Sequence, residues 1–163
     1  MNDADGWIAR EREMGSNDVV CDPTLSEAIL EQAPDAVIFA DREGLIRLWN
    51  QSAAALFGYA AAEVLGRSLD VIIPERLRNA HWQGYRKATE TGVMKYAGRV
   101  LTTRSVHKDG RRVYVDLSFG VVRDGAGHVI GALAIGRDCT ERYLSQRAAA
   151  APAKPSDDGS DKA

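Results

Sequence analysis

His81 lies in the longest stretch of helical sequence, and its imidazole could hold a metal or a small ligand. The stretch opens with Pro74, which suits a first helical position, and ends near Thr91, before Gly92. Spacings of three and four residues place several small and apolar side chains on one stripe with the imidazole. Such an imidazole is either a hydrogen-bonded core residue or a ligand, and both interpretations stay open. The predicted inward stripe is Leu77, Ala80, His81, Gly84 and Ala88.

The composition restricts the class of protein that can carry this helix. The chain has 163 residues, 45% of them hydrophobic and 27% charged, which suits one globular domain with a core. A net charge of −2 gives no reason to expect nucleic acid or a membrane surface as a partner. The N-terminal residues have no apolar signal-peptide core, so we expect a cytoplasmic protein. We see no nucleophile–base pair and no paired catalytic carboxylates, so we do not expect an enzyme.

The two cysteines lie far apart and follow no metal-ligand spacing. We therefore expect reduced thiols, with Cys139 packed at the end of an apolar strand and Cys21 exposed in a polar leader.

The chain divides into three parts by composition. Residues 1–22 form a polar leader whose scattered apolar residues suit a short helix, and residues 23–147 form the compact domain. Residues 148–163, rich in proline, serine and aspartate, are predicted to be a disordered tail. The compact domain ends with the start of a C-terminal helix.

Within the domain the periodicities predict one helix, two strands, several short helices and one long helix, and then three strands. The expected fold class is α+β, with a five-stranded antiparallel sheet whose inserted helices, between strands two and three, cover one face. A curved sheet roofed by the long helix would enclose a pocket, and His81 would point into it. The predicted helices are 24–32, 51–57, 60–65 and 74–91, and the predicted strands are 36–41, 45–49, 96–107, 112–121 and 129–139.

Five short motifs, in order, resemble those of a PAS domain. Residues 33–38 resemble its opening P-D-A strand, and residues 49–59 resemble its N-x-A-A-x-x-L-F-G-Y helix. Residues 63–67 resemble the next helix, and 108–110 its K/R-D-G hairpin. Residues 137–142 resemble the closing R-D-I-T-E-R segment, so that the match spans about 25–143. The resemblance implies a sensory and dimerising module that holds haem, flavin, a small acid or no ligand.

Two cofactor branches of this family can be compared with the sequence. The flavin-photosensor branch needs a reactive cysteine before the long helix, and residues 67–73 contain none. The haem-binding, FixL-like branch has a single histidine ligand on the long helix, in a P-E-x-x-R-x-x-H pattern that residues 74–81 match. The resemblance therefore implies haem b with His81 as the axial ligand to iron, in a sensor of diatomic gas or redox state.

The same branch implies roles for further residues. Arg99 matches an arginine that contacts a haem propionate and responds to bound gas, although pairing with Asp116 is an alternative. Leu117 lies where such sensors place an apolar distal residue, and Met94 is near another such position and is a candidate sixth ligand.

Two features depart from the branch pattern. The spacing from His81 to Arg99 is shorter than expected, and Gly84 stands where a tyrosine is usual, with Tyr85 following. Gly84 would leave space for a flat macrocycle or for a closer strand.

The resemblance also suggests how a signal would leave the domain. Asp138 and Thr140 can cap the C-terminal helix, and in PAS proteins the matching pair couples the sheet to the output helix. The expected partners are a second copy of the chain and a separate output protein, such as a kinase or regulator. The alternative function is a cofactor-free module for dimerisation and protein interaction.

Overall fold

Helices and strands follow one another in the predicted order. The structure, a computed structural model, describes residues 23–150, so the leader, Cys21 and the tail after residue 150 lie outside the described residues. The helices are α1 (Pro23–Gln32), α2 (Gln51–Phe57), α3 (Ala61–Val64), α4 (Glu75–Thr91) and α5 (Thr140–Ala150), with a 3-10 turn at Leu69–Val71. The strands are β1 (Ala36–Asp41), β2 (Ile46–Trp49), β3 (Leu101–Val106), β4 (Arg112–Arg123) and β5 (Val129–Asp138).

All five strands form one antiparallel sheet in the order β2-β1-β5-β4-β3. β5 is the central strand, which agrees with its apolar residues on both faces. The segment from α2 to α4 connects β2 to β3, and its side chains share the core of the sheet's inner face. The predicted α+β fold class is confirmed.

The core lies between the inner face of the sheet and the inserted helices. On β4 the alternation predicted from the sequence places Val113 and Val115 inward, and both are buried. Phe57 of α2 and Val64 of α3 meet them from the helical side and are fully buried. These contacts fix which face of the sheet α4 must cover.

Asn50 joins three elements at the start of α2. Its Oδ1 atom accepts the amide of Ala53 at 3.0 Å, which confirms the predicted helix cap, and the amide of Val37 at 2.9 Å. Its Nδ2 atom donates to the carbonyls of Leu30 and Asp35, each at 3.0 Å. The side chain therefore ties α1, β1 and α2 together.

β3 begins later than the sequence pattern predicts, at Leu101 and not near Tyr96. The residues between form turns, in which the amide of Arg99 donates to the carbonyl of Tyr96 at 3.0 Å. Gly98, with φ of +72°, takes the left-handed conformation between them. A chain closed on itself in this way cannot pair with β4, so the strand prediction was wrong for this segment.

α5 continues to Ala150, three residues beyond the predicted end of the domain. Along the described chain, no helix combines the length and apolar character that a membrane crossing requires.

Candidate functional site

The inward face of α4 differs from the predicted stripe. Leu77 keeps 37% of its surface exposed, and Ala80 and Gly84 are exposed as well. A Cβ atom placed on Gly84 would meet no atom within 4 Å, so this glycine borders open space and not the sheet. The prediction was correct for His81 and Ala88 and wrong for the other three residues. The buried and half-buried residues of α4 are Arg78, His81, Trp82, Tyr85, Ala88 and Thr89.

Trp82 and Tyr85 explain this rotation of the helix. The indole of Trp82 donates from Nε1 to a carboxylate oxygen of Asp70 at 2.8 Å. The hydroxyl of Tyr85 lies 2.9 Å from the carbonyl of Ala40 and 2.6 Å from that of Asp41, at the end of β1. Each ring buries a large apolar area while its N–H or O–H group keeps a hydrogen-bond acceptor. Leu77 and Gly84 have smaller side chains or none, so a helix turned to bury them would bury less apolar area.

Arg78, in the first turns of α4, contacts the 3-10 turn and the residues that follow it. Arg78 donates to the carbonyls of Ile73 at 3.2 Å and Asp70 at 3.1 Å, and its Nε lies 3.6 Å from the Asp70 carboxylate. Asp70 therefore holds both Arg78 and Trp82, and the helical turn that carries His81 is fixed from two sides.

His81 is half-buried beside two aromatic rings that also contact each other. Its ring centroid lies 4.9 Å from that of Trp82, edge to face, and 5.7 Å from that of Tyr85. Its Nδ1 atom is buried and has no hydrogen-bond partner. Burial lowers the pKa of His81, and the Asp70 charge only partly opposes this. The imidazole is therefore neutral at pH 7, the form whose nitrogen lone pair binds transition metals.

The other residues predicted around a haem differ in their burial and contacts. Tyr85 makes ring contact with it. Leu117 is half-buried on β4 against the core, and Met94 is half-buried in the turn after α4. Arg99 is exposed and forms no ion pair within residues 23–150. No described hydrogen bond joins these last three to His81, and their cofactor roles stay predictions.

Asp138 and Thr140 connect β5, α5 and β4. The Asp138 carboxylate accepts the amide of Thr140 at 2.8 Å, so Asp138 caps the first turn of α5 as predicted. The hydroxyl of Thr140 instead accepts the amide of Tyr114 at 2.9 Å and thereby reaches β4. The end of β5 is thereby hydrogen-bonded to the start of α5, and the predicted signalling role of this pair stays a prediction.

A second attachment of α5 was missed by the sequence analysis. Arg142 forms an ion pair with Asp116 of β4, and the rings of Tyr114 and Tyr143 stack at 4.0 Å. The alternative pairing of Asp116 with Arg99 was therefore wrong. Asp116 and Arg142 are 26 residues apart in sequence. The only signal in the sequence was the alternation along β4, which places the Asp116 side chain on the outer face of the sheet.

Hydrogen bonds also set the titration behaviour at this junction. The Thr102 hydroxyl, 2.6 Å from the Asp116 carboxylate, and the nearby Arg142 hold the pKa of Asp116 below its usual value. Cys139 is buried, as predicted, and burial raises the pKa of its thiol. The thiol therefore stays protonated and is a poor nucleophile at neutral pH.

Two shallow, open surface hollows on the described part of the chain are not lined by His81. One, of about 660 Å³, lies between the start of β4 and the start of α5, where Arg112 and Glu141 form part of its wall. The other, of about 340 Å³, lies on the outer face of the sheet beside Val100 and Ile135. His81 lines neither hollow, and the rings of Trp82 and Tyr85 contact its imidazole.

Comparison with protein families defines the class of protein. The model of the PAS fold family matches residues 24–139, which is most of the chain. The chain therefore belongs to the PAS fold family, as the motifs predicted.

Two relatives among the curated sequences are named as sensors. The chain is 30% identical over 122 residues to "Sensor protein FixL" of Bradyrhizobium diazoefficiens, covering 73% of this chain and 23% of that protein. It is 28% identical over 111 residues to "Oxygen sensor protein DosP" of Escherichia coli, covering 68% of this chain and 14% of that protein. The chain thus spans less than a quarter of the length of these relatives.

Solved structures support the same fold. A PAS domain from Colwellia psychrerythraea superposes with a TM-score of 0.63 at 22% identity, over 73% of this chain and 98% of that one. An RNA-binding light-oxygen-voltage receptor superposes with a TM-score of 0.61 at 27% identity, over 83% of this chain and 39% of that one.

Proposed function

We propose that this domain is a sensory module that binds haem b, with His81 as the axial ligand to iron. The observation that carries the proposal is a neutral, half-buried imidazole on α4 whose buried Nδ1 has no hydrogen-bond partner among the described residues. Histidines buried for structural reasons alone normally have a hydrogen-bond partner. The similarity to proteins named as an oxygen sensor and as FixL supports the same assignment.

His81 fits the chemistry of a haem ligand, because a neutral imidazole donates its lone pair without first losing a proton. Bound haem would supply an iron that takes a diatomic gas or changes its redox state. The chain's own residues would orient and shield that iron. Trp82 and Tyr85 contact the imidazole ring, Leu117 and Met94 would supply apolar side chains, and the exposed Arg99 would bind a propionate.

The signal would leave through the sheet. Tyr85 bonds to the end of β1, and β1 pairs along its length with β5, which leads into Asp138 and Thr140. We propose that these two residues pass a change at α4 to α5, and from there to an output protein such as a kinase or regulator. We further propose that the module acts in the cytoplasm and has no enzymatic activity of its own.

A cofactor-free dimerisation module is the second candidate, and exposed apolar surface favours it. α1 has no buried residue, and Leu25 and Ile29 keep 56% and 61% of their surfaces exposed. On the outer face of the sheet Val100 is 66% exposed beside Ile135. A second copy of the chain that covered both surfaces would form a homodimer with or without haem. Sedimentation over a concentration series measures this association, and a chain that stays monomeric throughout contradicts it.

An absorption spectrum tests the haem assignment. We expect a Soret band in the purified full chain, or in the chain reconstituted with hemin, that disappears in His81→Ala. The matched control is His128→Ala, because His128 has a solvent-exposed side chain on the β4–β5 turn. Failure of the reconstituted wild type to take up hemin, or a band that survives in His81→Ala, would contradict the assignment.

A further inference from the structure

Exposed apolar surface surrounds the hollow on the outer face of the sheet. The hollow, of about 340 Å³, is lined in part by Val100 and Ile135, which keep 66% and 38% of their surfaces exposed. The surface continues to the half-buried pair Leu133 and Phe39, which lie opposite each other in β5 and β1 and share a face with Ile135. Continuous exposed apolar surface of this kind marks an interaction site.

The charged groups around this hollow favour an acidic partner. Arg99, which precedes Val100, is exposed and forms no ion pair with a described residue. Arg104 of β3 likewise has no ion pair among them, and its Nε atom has no hydrogen-bond partner. Residues 23–150 contain 17 basic and 14 acidic residues, a net charge of +3. The carboxylates in the wall of the hollow are already paired with arginines, Asp35 with Arg137 at 2.6 Å and Asp116 with Arg142.

The leader, residues 1–22, has the complementary chemistry. It contains six acidic and two basic residues, a net charge of −4, and its apolar residues include Trp7, Ile8 and Met14. Opposite charges attract the leader to residues 23–150. A second copy that met this face with its own equivalent face would instead bring together surfaces of the same sign. Charge therefore favours the leader over a second copy as the occupant of the hollow.

The leader is also attached close enough to reach the hollow. It joins α1 at Pro23, and Asp35, three residues beyond the end of α1, lines the hollow. The ten residues of α1 span only ~15 Å at 1.5 Å per residue. The 22 residues of the leader span up to ~70 Å when fully extended. Attachment in the same chain raises the effective concentration of such a segment to about the millimolar range.

We propose that the leader docks on the outer-face hollow of its own domain, with apolar side chains on Val100 and Ile135 and carboxylates toward Arg99. This inference does not depend on haem. It concerns the face that the homodimer described above would use, so the leader and a second copy compete for it. A docked leader keeps two domains from pairing through this face, and its release makes the face available.

Paramagnetic broadening of amide signals tests this docking in the full chain. A nitroxide is attached through Ala9→Cys in a Cys21→Ser background, and Cys139 stays unlabelled because its thiol is buried and protonated. We expect the amide signals of Val100 and Ile135 to broaden and to recover when the nitroxide is reduced. A mixture of isotope-enriched, unlabelled chain with nitroxide-labelled, unenriched chain should show no such broadening, because the contact lies within one molecule.

Surface variants locate the contact. Val100→Ser should lower the ratio of docked to undocked leader roughly tenfold, because burial of a valine side chain contributes a factor of that order. Val93→Ser is the matched control, because Val93 is 68% exposed and does not line the hollow, and it should leave the broadening unchanged. Arg99→Glu should weaken docking by reversing one charge.

The amide spectrum of each variant also reports whether it is folded. Absence of broadening at Val100 and Ile135, or broadening that Val100→Ser does not reduce, would show that the leader does not occupy this hollow. Broadening that also appears in the mixed sample would assign the contact to the leader of a second copy and would overturn docking within one chain.

Discussion

Replacement of Asn50 by alanine should cause a large loss of stability, because one side chain serves three elements. Its Oδ1 atom accepts two amides, that of Ala53 at the start of α2 and that of Val37 in β1. Asn50 follows Trp49 of β2 and lies opposite Val37, where its amide donates to the Val37 carbonyl at 3.3 Å. Its Oδ1 atom accepts the Val37 amide in the place of a backbone carbonyl. The side chain is 2% exposed, so water cannot replace it without a rearrangement.

The magnitude follows from these contacts. Loss of a helix cap costs about 0.5–2 kcal/mol, and an unsatisfied buried amide costs about 1–3 kcal/mol. The expected loss for Asn50→Ala is therefore roughly 2–5 kcal/mol, up to about half the stability of a typical domain.

Urea unfolding measures this loss. Asn50→Ser is the matched control, because serine also caps helices but is too short to keep the contacts with Leu30 and Asp35. We expect it to recover the cap contribution and leave the rest of the loss. A loss below about 1 kcal/mol for Asn50→Ala, with an unchanged denaturant slope, would refute the assignment of Asn50 as the joint between α1, β1 and α2.

Two further predictions concern the α5 junction and the surroundings of His81. The pKa of Asp116 is held below its unfolded value of about 3.8, largely by the Thr102 hydroxyl. Its contribution to stability is therefore complete above pH 3.8 and is lost as the pH falls through the lower folded pKa. Thermal unfolding between pH 2 and 5 should show a steeper fall for wild type than for Asp116→Asn, and equal slopes would contradict this. Gly44 has φ of +80°, and a Cβ atom there would lie 2.3 Å from the Trp82 ring. Gly44→Ala should lose more stability, by about 1–3 kcal/mol, than the control Gly66→Ala, which has φ of +78° and open space; equal losses would show that the Trp82 ring is not tightly held.

Local chemistry in the sequence was sufficient for most of the fold. The cap at Asn50 and the alternation along β4 depend on contacts between near neighbours or on a period of two, and both are readable from the chain. The start of β3 could not be predicted from the chain. The apolar residues after α4 suggest a strand, but the structure folds them into turns around Gly98. Apolar sequence alone does not distinguish a paired strand from a closed turn.

The candidate site shows the same division. Residue type and motif singled out position 81, whose role as a ligand stays a prediction, whereas Trp82 and Asp70 were not expected to contribute. Their contact joins two elements whose relative placement depends on the whole helical layer. The pair Asp116 and Arg142 was missed for the same reason.

By itself the sequence determined the family, the order of the elements and the presence of one imidazole on the helix that roofs the sheet. The tertiary structure decided which way that helix turns. The predicted stripe of α4 has the most small and apolar residues. The stripe that carries Trp82 and Tyr85 buries more surface, and the polar groups of these two side chains keep hydrogen-bond partners. Trp82 and Tyr85 find acceptors on Asp70 and at the end of β1, and these distant partners place both rings beside His81, whose Nδ1 is unpaired.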